Sequence, residues 1–81
     1  MSAKYAKNSL FINGKADTPK LIRFALYTIC EAALYNSSKT FTVNYEGTED
    51  IPASERLAQI ELQMTYIPWA PDNIVIEEVS E

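Results

Sequence analysis

Between Thr18-Pro19 and Asn36-Ser37-Ser38 runs an apolar period that a helix satisfies and a strand does not. At about 100° per residue, Leu21, Ile22, Ala25, Leu26, Ile29, Cys30, Ala32 and Ala33 fill one half of the wheel. Thr18 suits the N-cap and Pro19 the first helical position, where its missing N–H costs nothing. Asn36, Ser37 and Ser38 compete for backbone hydrogen bonds and end the run. The spacing predicts a helix from Pro19 to about Tyr35. A stripe that wide must be covered by something else in the chain.

The cover has to come from a single small domain spanning residues 1–81, with residues 1–8 read as a polar, flexible leader. Ser9-Leu10-Phe11-Ile12 reads as a short strand, followed by an Asn13-Gly14 turn in which both residues tolerate positive φ. Lys39 to Tyr45 alternates strictly, with Phe41, Val43 and Tyr45 on one face and Thr40, Thr42 and Asn44 on the other. Glu46 to Ala53 is an acidic loop, and Ser54 to Ala58 a short helical turn. From residue 57 to 66, Ile60, Leu62, Met64 and Tyr66 alternate with polar neighbours, which predicts a second long strand. Helix competes there, because Glu, Leu, Gln and Met are good helix formers. Pro68-Trp69-Ala70-Pro71 forms a stiff loop before a last strand from Ile74 to Val79. The expected fold is therefore α+β, a two-layer sandwich. One long helix packs on a mostly antiparallel three- to four-stranded sheet in the order β-α-β-β-β.

Chemistry is sparse. The chain has no histidine, one cysteine and two glycines. Without histidine the commonest general base at neutral pH is missing. Phosphate-binding glycine loops and nucleophile elbows are absent, so no catalytic residue is assigned and the protein is not expected to be an enzyme. One thiol cannot complete a tetrahedral zinc shell, and the Asp-x-Asp-x-Asp-Gly spacing of a calcium loop does not occur. No metal and no cofactor is expected. Cys30 is read as a buried small hydrophobe rather than a reactive thiol.

No stretch reaches the roughly 20 apolar residues of a membrane span, and the N-terminus lacks the apolar core of a secretion signal. A cytoplasmic protein is expected, with no membrane partner. Residues 1–39 carry six basic and two acidic side chains, and residues 40–81 one basic and nine acidic. The net charge of −4 disfavours a phosphate backbone. Phe41 and Tyr45 offer no base-stacking surface either, since their polar alternates make them core residues.

What remains is surface. Opposite the apolar half of the helix, Phe24, Tyr27, Leu34 and Tyr35 lie among Lys20, Arg23, Thr28 and Glu31. Several large apolar groups on one surface make a patch, and rigid aromatics suit an interface. Trp69, held between two prolines, is the second candidate contact. The expected function is a small, non-enzymatic interaction or regulatory module, inhibitor-like and self-associating as a homodimer. Its partner is another protein or a second copy, by an analogy of size and charge with accessory inhibitors of viruses and mobile elements. The alternative expectation is a small-molecule or nucleotide binder. Its pocket would lie between helix and sheet or at a subunit interface, with Tyr27, Tyr35, Tyr45 and Tyr66 as stacking groups.

Overall fold

A computed structural model describes residues 3–6, 9–12 and 18–79, the first of these segments as backbone. The elements run β1 (Ala3–Ala6), β2 (Ser9–Ile12), α1 (Pro19–Leu34), β3 (Phe41–Tyr45), α2 (Ala53–Met64) and β4 (Ile74–Glu78). They form one sheet in the order β1-β2-β3-β4. Strands β2, β3 and β4 are parallel to one another, and β1 adds to the outer side of β2 in the antiparallel sense. The unit from β2 to β4 is thus a β-α-β-α-β wind. The Asn13-Gly14 turn lies outside the described residues.

This corrects the expected mostly antiparallel sheet with its single long helix, and the cause is one segment. Residues 53–64 coil as α2 instead of extending as a strand. Intrinsic propensity wins there over the period of two. Pro52 opens the helix from extended backbone, and Glu55 sits in the first turn, where a carboxylate favours the helix dipole. The inward stripe is Arg56, Ile60 and Gln63, spaced by four and then three residues. Leu62, which a strand would have turned toward the core, is exposed, and so is Tyr66. Once the connection between β3 and β4 is a helix, the crossover returns the chain to the same end of the sheet. The two strands then pair in parallel.

α1 starts as its sequence predicts. Thr18 Oγ1 accepts a hydrogen bond from the Leu21 N–H at 3.3 Å, and Pro19 opens the first turn. Ile22, Leu26, Ile29, Cys30 and Ala33 are buried, whereas Leu21 lies partly exposed at the edge of the stripe. Both helices pack side by side on the sheet face that carries Leu10, Ile12, Phe41, Val43 and Tyr45. The opposite face carries Ser9, Phe11, Thr42, Asn44, Val75 and Glu77, and none of the described helices covers it. Parallel sheets are ordinarily buried on both faces. Here four of the six side chains are polar, which lets that face meet water.

Two loop residues set the spacing of these layers. Asn73 precedes β4 and its Nδ2 lies 3.0 Å from Ala33 O, 3.2 Å from Asn36 O and 2.8 Å from Lys39 O. Its two amide hydrogens therefore serve three carbonyls, one in the last turn of α1 and two in the loop that leads to β3. The Asn73 carbonyl accepts from Phe41 N–H at 2.8 Å, so one residue ties helix end, loop and sheet together. At the other end of β3, Gly47 lies against the backbone of residues 51–53. That loop is closed by Thr48 N–H donating to Ile51 O at 2.7 Å and Ile51 N–H donating to Thr48 Oγ1 at 3.1 Å.

Candidate interaction surface on the outer face of α1

The side chains singled out in α1 divide into two groups by their place on the helix. Phe24 and Tyr35 point away from the domain, 73% and 82% exposed. They are about 16 Å apart along the axis, with Thr28 and Glu31 between them. Tyr27 and Leu34 lie on the flank that turns toward α2 and are about half exposed. All four are accessible, but they do not form one continuous aromatic cluster.

The segment after α2 completes the surface. Trp69 packs edge-on against Tyr27, with ring centroids 5.0 Å apart and planes at 86°. This is the T-shaped arrangement that aromatic quadrupoles favour. The indole keeps 38% of its surface open, so it acts both as a wall for Tyr27 and as exposed area. One turn earlier, the Arg23 guanidinium stands 5.0 Å from the ring centroid of Tyr66. That contact holds an otherwise mobile cation over an aromatic face. Tyr66 joins the surface only because residues 53–64 coil and deliver it to Arg23 on the flank of α1. No short-range pattern announces that meeting.

The interior offers less chemistry. Arg56 is wholly buried, its Nη1 donating to Gln59 Oε1 at 3.3 Å. Sequence reading missed it. The helical spacing of Arg56, Ile60 and Gln63 is the signal that places it inside. Tyr45 is buried, while Tyr27, Tyr35 and Tyr66 are exposed, so the four tyrosines do not line one pocket. Among the described residues, no group of three or more His, Cys, Asp or Glu side chains stands ready to hold a metal ion. No described helix is long and apolar enough to cross a membrane.

Cys30 is fully buried on α1, and burial pushes its thiol up from 9.0 to about 11. The thiolate is the reactive form, so the folded protein should resist alkylation until it opens. The raised value also makes stability depend on pH. The folded state keeps a proton that the unfolded chain releases, so stability is intact below pH 9 and falls as pH rises toward 11. Against a Cys30→Ala variant, the wild-type advantage in urea unfolding should shrink by about 2 kcal/mol between pH 8 and 10.5. Parallel pH profiles for the two proteins would show that the thiol is not desolvated.

Comparison with protein-family models, with curated proteins and with solved structures finds no match for this chain.

Proposed function

We propose that this chain is a small non-enzymatic interaction module of regulatory or inhibitor-like kind, acting in the cytoplasm. It docks through the outer face of α1, with the Trp69 loop as the flank of that face. The observation that carries the reading is the exposure of Phe24 and Tyr35 on a helix whose other side is sealed against the sheet. Large aromatics left in water at that level are common at binding surfaces, because they add contact area with few rotamers to freeze. Its occupant is another protein or a second copy. A nucleotide-binding reading draws on the tyrosines, and their scattered placement gives it no supporting observation.

The test is sedimentation equilibrium from micromolar to high micromolar concentration, on wild type and on Phe24→Asp. Because Phe24 is exposed, the substitution leaves the core intact. Association should weaken at least tenfold, the loss of roughly 1.4 kcal/mol expected for a contributing interface aromatic. A wild type that stays monomeric throughout removes the self-associating half of the reading. An association constant untouched by Phe24→Asp removes this face from it.

A further inference from the structure

We infer that the occupant of this face is a second copy of the chain, its α1 laid antiparallel on the first across a twofold axis near Thr28. The inference rests on the reading of α1 as a docking face and names what covers it.

The charges of α1 are segregated along its axis. Lys20 and Arg23 stand in its N-terminal half and Glu31 in its C-terminal half. The first turn holds no acidic residue and the last turn no basic one. This runs against the helix macrodipole, which favours anions at the N-terminus and cations at the C-terminus. A single helix gains nothing from that order. Two such helices side by side in opposite directions do, because each basic half then lies along the other's acidic half and the dipoles oppose.

The outer residues of α1 also have the spacing of a packing seam. Leu21, Phe24, Thr28, Glu31 and Tyr35 follow one another by three and four residues in turn, and all five are exposed. That is the seam on which one helix packs along another. With the twofold near Thr28, Leu21 faces Tyr35 of the second copy, and Arg23, held over Tyr66 on the flank, comes within side-chain reach of its Glu31. Phe24 then lies beside the Arg23–Glu31 pair and shields it from water. A twofold perpendicular to both helices brings like flanks together. The flank bearing Tyr66 and Trp69 therefore approaches its own counterpart. One helix ridge alone falls short of the roughly 800 Å² per partner of a stable interface, and this flank supplies further area.

The experiment is a charge exchange on the full chain, read by sedimentation with circular dichroism to confirm folding. Glu31→Lys leaves only positive charge at the facing sites. Lys20→Glu with Arg23→Glu leaves only negative charge. Each protein alone should lose association at least tenfold relative to wild type. An equimolar mixture should recover it, because each copy then meets the opposite sign twice. Both proteins carry charges that suit the helix dipole better than wild type does, so a folding failure is not expected. A dimer that persists in both variants, or two variants that stay monomeric when mixed, overturns the antiparallel α1 pair and leaves self-association elsewhere on the surface open. A wild type monomeric at every concentration overturns the self-association reading and this inference with it.

Discussion

Arg56→Ala is expected to destabilise the protein by about 3–4 kcal/mol, measured by urea unfolding at neutral pH. The side chain is fully buried in α2, so alanine removes its packed aliphatic stem and leaves a cavity. It also withdraws the donor that Gln59 Oε1 accepts from. A domain of this length commonly has a total stability of roughly 4–12 kcal/mol, so the variant would be near its folding limit at room temperature. Arg56→Met separates the two contributions. Methionine refills most of the stem's volume without the charge, and buried ionic groups are often replaced by apolar ones at little cost. Recovery of half or more of the loss by methionine assigns the effect to packing. An Arg56→Ala protein within 1 kcal/mol of wild type would contradict the burial itself.

The second large effect belongs to Gly47. A Cβ placed there would stand 2.6 Å from Ala53 N and 2.9 Å from Ile51 O, both backbone atoms. Neither can swing aside as a flexible side chain would. The loop that carries the chain from β3 into α2 has to open instead, and its short Thr48–Ile51 hydrogen bonds oppose that. Gly47→Ala should cost about 3 kcal/mol and lower the melting temperature by roughly 15 °C. The effect comes from close approach, so Gly47→Ser should be at least as harmful. A serine variant as stable as wild type would show that the loop has slack.

Some of this architecture can be read residue by residue, and the reasons for success and failure differ. α1 is legible because Thr18, Pro19 and the apolar stripe agree with one another. β3 is legible because Phe41, Val43 and Tyr45 all turn inward and are all buried. The segment from 57 to 66 misleads because Ile60, Leu62, Met64 and Tyr66 are spaced by two, yet the first three belong to α2 and Tyr66 to the turn after it. Two of those four residues face solvent, and Ile60 shares the inward places on α2 with Arg56 and Gln63. A pattern scored by hydrophobicity alone cannot see a stripe made partly of polar residues. From that one misassignment the wrong strand directions followed. The exposed places of Phe24 and Tyr35 come directly from the turn of α1. The Tyr27–Trp69 and Arg23–Tyr66 contacts join parts of the chain that only the crossover brings together.

The parallel register has a kinetic consequence. Ser9 lies opposite Thr42 and Phe41 opposite Ile74, a separation of thirty-three residues in both cases. Closing either pair therefore demands the same loss of chain entropy, and neither has the head start that a tight hairpin would supply. Each closure is offset only as the intervening helix settles on the strands. Helix docking and strand pairing thus have to occur together, and the conformational search should be slower than in a bundle of the same length.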